Sequence, residues 1–166
     1  MMTMPESFKI RVTKDHLVFS SGHFISYEGD KCERLHGHNY RTAVEVEGDL
    51  DENWYVFDFI ALKRLTKTIT DELDHRMLLP TQNKLIVVDA GPKNVQVRYR
   101  DHEWRFPRED CVLLPIENTT TELLARYIGN KVMEELRGRH RFHPRVLRVE
   151  VEENVGQSAT YEWRAR

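Results

Sequence analysis

Three histidines and a nearby cysteine are the residues of this chain best suited to chemistry. One glycine separates His36 from His38, and because a β-strand repeats its facing every second residue, both imidazoles would project from one side of a strand. His23 stands in a second strand-like segment, on the same parity as apolar neighbours. Three neutral imidazoles with an open fourth position are a recognised arrangement for catalytic zinc. The pattern predicts a Zn²⁺ site with His23, His36 and His38 as ligands.

Cys32 can take two different parts in such a site. As a free thiol it would be a nucleophile or proton carrier beside the ion. As a fourth ligand it would close the coordination shell, and the chain would then be a non-catalytic module with a structural zinc. A third alternative is that the histidines are separate, ordinarily hydrogen-bonded residues, although their number and parity favour a shared ion.

Asp74 and His75 form a second candidate group. A carboxylate beside an imidazole can take or pass protons near neutral pH, so the pair would complete a relay with Cys32 if the fold or a neighbouring subunit brings them together. The structural alternative is that His75 caps the end of a helix.

Glu153 is the third candidate, because it continues the parity of apolar residues on the inward face of a predicted strand. A buried carboxylate needs hydrogen-bond donors, and a ligand edge with two adjacent N–H groups would supply them. An internal ion pair with an arginine is the alternative.

The elements that position these residues follow from periodicity. Two amphipathic helices are predicted, one capped by Asp58 and one opened by a capping box at Thr119 and Glu122 that ends near Gly138. Strands are predicted at 8–12, 17–24, 36–48, 146–153 and 159–163, with extra hairpin structure at 85–114. This order predicts an α+β domain over residues 1–166, with both helices on one face of an antiparallel sheet whose free edges oligomerisation could join into a barrel.

Composition excludes several other classes of protein. The chain has 166 residues, 40% of them hydrophobic, and a formal net charge of −2, which indicates one globular domain and argues against nucleic acid as its main partner. The amino terminus has neither a basic start nor an apolar run, so no signal peptide or membrane span is predicted and the expected location is cytoplasmic. Cys32 and Cys111 are therefore expected to be free thiols.

Several motifs together resemble one known family. They are Phe19-Ser-Ser-Gly-His23, Cys32 to Tyr40, Val56-Phe-Asp-Phe, Leu73-Asp-His75, Asn118 to Glu122, and Val149 to Glu153. In this order they resemble the 6-pyruvoyl-tetrahydropterin synthases and the 6-carboxy-tetrahydropterin synthases of the queuosine pathway. The resemblance implies the tunnelling fold (T-fold), in which subunits join their sheets into a barrel, commonly as a dimer of trimers.

The resemblance also implies roles for individual residues. The histidine trio would bind zinc, Cys32 with Asp74 and His75 would transfer protons, and Glu153 would anchor the pterin. Thr120 and Glu122 match positions near the pterin in relatives.

The reaction implied by the resemblance starts from 7,8-dihydroneopterin triphosphate. The short Cys-x-x-x-His-Gly-His-Asn spacing from Cys32 is similar to the bacterial branch, so the expected products are 6-carboxy-5,6,7,8-tetrahydropterin, acetaldehyde and triphosphate. The alternatives are the pyruvoyl-forming reaction or another side-chain cleavage. The segment at about 84–114 is longer than the link in compact bacterial members, and its role is open.

Overall fold

The computed structural model describes residues 6–13 and 15–166. Twelve strands and two α-helices follow one another along this part of the chain. The strands are β1 Phe8–Val12, β2 Val18–His23, β3 Ser26–Tyr27, β4 Lys31–Cys32, β5 His36–Gly48, β6 Arg76–Pro80, β7 Val87–Ala90, β8 Asn94–Tyr99, β9 His102–Pro107, β10 Cys111–Leu114, β11 Val146–Asn154 and β12 Gln157–Arg164. The helices are α1 Phe59–Leu73 and α2 Thr121–Gly138.

Seven strands form the main sheet, in the order β10-β6-β2-β5-β11-β12, with β1 also paired to β5. The long β5 pairs with β2 along its first half and with β1 along its second, while β11 runs along its other side. All pairs are antiparallel except those that β6 makes with β2 and β10. The predicted α+β class is confirmed, since two helices accompany a largely antiparallel sheet.

Both helices pack on one face of this sheet. Asp58 caps α1 by accepting a hydrogen bond from Ala61 N at 2.7 Å, as predicted. Each helix buries one apolar stripe against the strands, namely Leu62, Leu65, Ile69 and Leu73 from α1 and Leu124, Ile128, Val132 and Leu136 from α2. Burying each of these side chains stabilises the fold by about 1.5–3 kcal/mol relative to exposure. Within the described ranges, no helix is long and apolar enough to cross a membrane.

The start of α2 differs from the prediction by one residue. The N-cap is Thr120, whose side chain accepts from Leu123 N, so the capping box between Thr119 and Glu122 does not form. The reason is tertiary: the hydroxyl of Thr119 lies 3.3 Å from His23 Nδ1 and donates to the carbonyl oxygen of Phe24. Thr119 is therefore engaged at the histidine site, and Glu122 is left exposed.

A second, smaller layer packs beside the main sheet. Strands β7, β8 and β9 form a separate antiparallel sheet where extra hairpin structure was predicted, and β3 and β4 form a short hairpin between two predicted strands. A second apolar cluster joins the small sheet to the rest of the chain. Its buried members are Phe24, Met77, Leu79, Ile86, Val95, Val97 and Cys111.

Candidate metal centre

The pairing of β2 with β5 brings the three histidines together. His23 lies directly opposite His36, and His38 follows two residues along the same face of β5. The ring centroids are 4.8 to 5.2 Å apart, and one ligand atom from each ring lies within 4.8 Å of the others. The predicted trio is thus a real cluster that could hold a metal ion.

Hydrogen bonds to backbone carbonyls fix how two of the rings present their nitrogens. His23 Nδ1 lies 3.0 Å from Thr119 O, and His36 Nδ1 lies 2.7 Å from Arg34 O. A carbonyl oxygen can only accept, so each Nδ1 carries the proton and each Nε2 keeps its lone pair. Metal-binding histidines usually donate their other ring N–H to an acceptor of this kind.

Two ring nitrogens of the cluster are buried, and a buried polar atom needs a bonding partner. His23 is 2% exposed, and burial lowers its pKa to about 4, so its imidazole is neutral at pH 7. In the described part of the chain, Nε2 of His23 and Nε2 of His38 are buried without a hydrogen-bond partner. An unpaired buried polar atom costs about 1–3 kcal/mol. The three imidazoles therefore form a donor set that fits a bound metal ion.

Glu153 borders the cluster from the end of β11. One of its oxygens accepts from the Thr121 hydroxyl at 2.6 Å, and the other lies 3.3 Å from His38 Nε2 without hydrogen-bond geometry. An ion pair with arginine, the alternative considered for this carboxylate, is not found among the described residues. Glu153 keeps about a quarter of its side chain exposed and so can still accept bonds from a ligand.

Cys32 stands at the end of the β3–β4 hairpin and is half-buried against the second apolar cluster. Its sulfur donates weakly to Glu33 O at 3.5 Å. Burial first, and the charge of Glu33 second, raise the pKa of the thiol, which therefore rests protonated at neutral pH. Among the described residues, the group that could hold a metal ion consists of the three histidines and does not include Cys32.

Glu33 is a site residue that the sequence patterns did not single out. One of its oxygens lies 3.9 Å from His36 Nε2 and accepts from Ile25 N at 3.3 Å. The signal available in the sequence was its place three residues before His36, which alone does not distinguish it from a solvated surface glutamate. Thr119 and Thr121 were likewise missed as partners of His23 and Glu153 because both contacts span long sequence separations.

Asp74 and His75 form the expected pair, with Asp74 Oδ2 2.8 Å from His75 Nδ1. The backbone N–H of Ser20 is the main cause of a lowered pKa at Asp74, so this carboxylate stays charged and orients the imidazole. The helix C-cap is Asp74 and not His75, whose side chain is 82% exposed. His75 lines a groove of about 730 Å³ that also touches His36 and His38 but not Cys32. Within the described chain, then, the relay to Cys32 is not assembled.

The two remaining candidates lie at the start of α2. Thr120 caps the helix and is half-buried, while Glu122 points into solvent from the first turn. Neither makes a polar contact with the histidines in the described residues.

Fold and site together define an α+β protein of the tunnelling-fold class with a three-imidazole centre between its main sheet and the start of α2. The family model for 6-pyruvoyl tetrahydropterin synthase matches residues 11–164. The chain belongs to this family.

Individual relatives agree with that assignment. A Methanocaldococcus jannaschii protein named provisionally as a 6-carboxy-5,6,7,8-tetrahydropterin synthase is 34% identical over 146 residues, covering 87% of this chain and 89% of its own. The Haemophilus influenzae 6-carboxy-5,6,7,8-tetrahydropterin synthase is 35% identical, over 70% of this chain and 78% of its own. A shorter match, 40% identical over 36% of this chain and 50% of the relative, is to a Pyrococcus furiosus dihydroneopterin monophosphate aldolase.

Solved structures show the same fold at full length. The crystal structure of Plasmodium vivax 6-pyruvoyl tetrahydropterin synthase is 30% identical with a TM-score of 0.89, and the match covers 97% of this chain and 100% of that one. Two further structures of that enzyme, each 29% identical, are described as catalytic residue mutants in which a glutamate is replaced by alanine or by cysteine.

Proposed function

We propose that this protein is a zinc-dependent lyase that converts 7,8-dihydroneopterin triphosphate into 6-carboxy-5,6,7,8-tetrahydropterin, acetaldehyde and triphosphate. The observation that carries the proposal is the cluster of His23, His36 and His38, whose ligand atoms lie within 4.8 Å of one another and include two buried, unpaired ring nitrogens. The names of the Methanocaldococcus and Haemophilus relatives support the choice of product.

The residues around the cluster would have separate roles. Glu153, held by Thr121, would accept two N–H groups from the pterin edge and so fix the ring relative to the metal. The histidines would hold zinc, which when bound supplies Lewis-acid polarisation of the substrate side-chain oxygens. Carbon-bound protons beside those oxygens become more acidic and need a nearby group to receive and return them.

Cys32 and Glu33 would be the groups of this chain that move those protons. The Cys32 thiol rests protonated and so is a donor, while the Glu33 carboxylate beside His36 is an acceptor. A proton donor next to a proton acceptor would allow one proton to be removed from the substrate and another to be delivered to it without water as intermediary.

Asp74 and His75 would act on Cys32 of a second copy of the chain. His75 is oriented by Asp74 but is exposed and does not border Cys32. Among the residues that the structure describes, the outer strands β10 and β12 each have one unpaired edge, and Trp54 and Ile60 are 81% and 64% exposed. Unpaired edges and exposed large apolar side chains favour association. We therefore extend the proposal to a homo-oligomer, a dimer of trimers, in which a neighbour's His75 reaches Cys32.

A second candidate reaction is favoured by Glu33. In the Plasmodium enzyme a glutamate is described as a catalytic residue, and the Pyrococcus relative is named as an aldolase, which cleaves a carbon–carbon bond of the pterin side chain. A carboxylate near the metal could support such a cleavage, or the pyruvoyl-forming reaction, in place of the carboxy-forming one.

Product analysis distinguishes these reactions. Zinc-loaded protein is incubated with 7,8-dihydroneopterin triphosphate, and the products are identified by mass spectrometry. Carboxy-pterin with acetaldehyde is the expected result, whereas a pyruvoyl-pterin or a hydroxymethyl-pterin would replace the leading proposal by its alternatives. An unchanged substrate would contradict both.

A matched pair of variants assigns the proton carrier and tests the structural-zinc alternative. Cys32→Ala is expected to keep one zinc per chain while losing turnover, because the thiol is a proton carrier and not a ligand. Loss of zinc and of thermal stability in Cys32→Ala would instead support a closed structural site. Glu33→Gln, which keeps the side-chain shape, is the companion that separates the carboxylate's contribution from the thiol's.

A further inference from the structure

The small sheet β7–β9 contacts the segment that carries Cys32. Its inward-facing residues Val95 and Val97 are fully buried in the second apolar cluster, and Cys32 packs against the same cluster. Gln96 and Arg98, which alternate with these residues along β8, are exposed. The small sheet therefore has one apolar face, and that face packs with Phe24 and Cys32.

The first specific contact is between Trp104 on β9 and Phe24. The two rings stack at 4.6 Å between centroids with an interplanar angle of 27°. Phe24 follows His23 directly in sequence and is 1% exposed. Because Phe24 directly follows the last residue of β2, fixing its ring also restrains the backbone of His23.

The second contact is made at the turn of the β3–β4 hairpin. The hydroxyl of Tyr99 donates to the carbonyl oxygen of Asp30, and the Arg100 guanidinium lies 2.8 Å from the Asp30 carboxylate. Asp30 is two residues before Cys32. The Arg100 pair is exposed and contributes little, whereas the Tyr99 bond is made by a side chain only 6% exposed.

The opposite end of the hairpin is held from the α2 side. Asn118 Nδ2 donates to Ser26 O at 2.8 Å, and Asn83 Nδ2 donates to Ser26 Oγ at 2.9 Å. The hairpin is thus fixed at Ser26 by residues near α2 and at Asp30 by the small sheet. Cys32, paired with Ser26 in the hairpin register, depends on both attachments for its position.

We propose that the small sheet is a positioning element for the proposed catalytic thiol: Tyr99 holds the turn of the hairpin and Trp104 holds Phe24, two residues before it, so that Cys32 stays partly covered beside Glu33. This inference rests on the proposed function for the role of Cys32, but the contacts it invokes are independent of any metal or substrate. Tyr99 and Trp104 are positioning residues, since they act through the hairpin and do not border the histidines in the described chain.

Alkylation of Cys32 measures this positioning directly. Wild type, Tyr99→Phe, Trp104→Leu and Trp104→Phe are treated with iodoacetamide at pH 7.5, and modification of the Cys32 peptide is followed by mass spectrometry. Tyr99→Phe removes a single hydroxyl and is expected to speed alkylation about 2- to 10-fold, the equilibrium worth of one hydrogen bond. Trp104→Leu is expected to do the same, and Trp104→Phe to restore a rate near wild type.

The matched control is Arg98→Ala, next to Tyr99 on the solvent side of the same strand, which should alkylate at the wild-type rate. For Tyr99→Phe, zinc content is expected to stay at the wild-type value and the thermal midpoint to fall by only the few degrees that one hydrogen bond is worth, while kcat falls and KM does not change. A wild-type alkylation rate in both Tyr99→Phe and Trp104→Leu would overturn the proposal. So would faster alkylation that appears only together with loss of zinc and of stability. If the wild type turns over no pterin, the alkylation rates still decide the inference, so that its failure and that of the proposed function are distinguishable.

Discussion

The proposed chemistry of this protein centres on the ring nitrogens of three histidines. Their types and spacing were enough to predict a shared site, because β-strand alternation is a local rule that places His36 and His38 on one face. What orients the rings is not local: Thr119 O, ninety-six residues from His23 in sequence, sets which nitrogen is free. The sequence therefore predicted the cluster but not the groups that orient its rings.

The burial of His23 predicts how metal-free protein responds to acid. Its folded pKa of about 4 lies below the ordinary 6.5, so the unfolded chain binds the proton more readily between those values. The stabilising contribution is complete above pH 6.5 and is lost as the pH falls towards 4, by about 3 kcal/mol. Urea unfolding of metal-free protein at pH 7, 5.5 and 4 measures this decrease. In His23→Gln, whose side chain gains no proton, the unfolding free energy should fall less steeply as the pH decreases. An equally steep fall in both proteins would contradict the assignment of this effect to His23.

Two threonines at the start of α2 should have separable effects. Thr119→Val keeps the side-chain shape but removes the hydroxyl near His23 Nδ1. It is expected to weaken zinc binding by about tenfold, the lower end of the range for losing a group that hydrogen-bonds to a metal ligand. Thr121→Val removes the bond to Glu153 and should raise KM for the pterin with zinc affinity unchanged. Chelator competition and steady-state kinetics measure the two quantities. If both variants changed the same quantity, the division of roles would be wrong.

The secondary-structure elements show which parts of the fold are locally encoded. The bounds of α1 and β5 follow from a capping aspartate, an apolar stripe and a long alternating run, and the structure confirms both. Strand β6 escaped prediction because Arg76–Pro80 is only five residues long and lacks alternation. The α2 cap moved from Thr119 to Thr120 because a contact made by the tertiary fold engaged the first threonine.

The packing of α2 on the last strand gives a prediction at the scale of elements. A Cβ atom at Gly129 would lie 2.6 Å from the ring of Tyr161, so Gly129→Ala must push α2 and β12 apart or displace the ring. Such overpacking costs about 1–3 kcal/mol of unfolding free energy. Gly138→Ala, in the same helix with no atom within 4 Å of its added Cβ, should instead stabilise by up to about 1 kcal/mol. Thermal and urea unfolding of the two variants test this, and equal stabilities would show that the close approach is absent in solution.

At the scale of the whole molecule, one chain supplies every proposed group but does not bring them all together. The three histidines form one cluster, with Glu33 near His36 and Glu153 near His38, while His75 lines a groove that does not include Cys32. Sequence reasoning could not decide between a relay within the chain and one between chains, since that depends on three-dimensional distance. The placement of His75 now favours a relay between copies.

Mixing two inactive variants tests this arrangement. Cys32→Ala and His75→Ala should each be inactive alone, but subunits exchanged between them can form sites with an intact Cys32 from one chain and an intact His75 from its neighbour. The expected result is recovery of a fraction of wild-type activity in the mixture, with an oligomer of constant mass by light scattering. No recovery after verified subunit exchange would indicate that Cys32 and His75 act within one chain.

The most direct measurement for the whole account is X-ray absorption spectroscopy of the protein after zinc loading, combined with elemental analysis. The account predicts one zinc per chain with three imidazole nitrogens at about 2.0–2.1 Å, an additional light-atom ligand, and no sulfur in the coordination shell. Absence of tightly bound zinc, or a sulfur ligand at about 2.3 Å from Cys32, would contradict an open catalytic site.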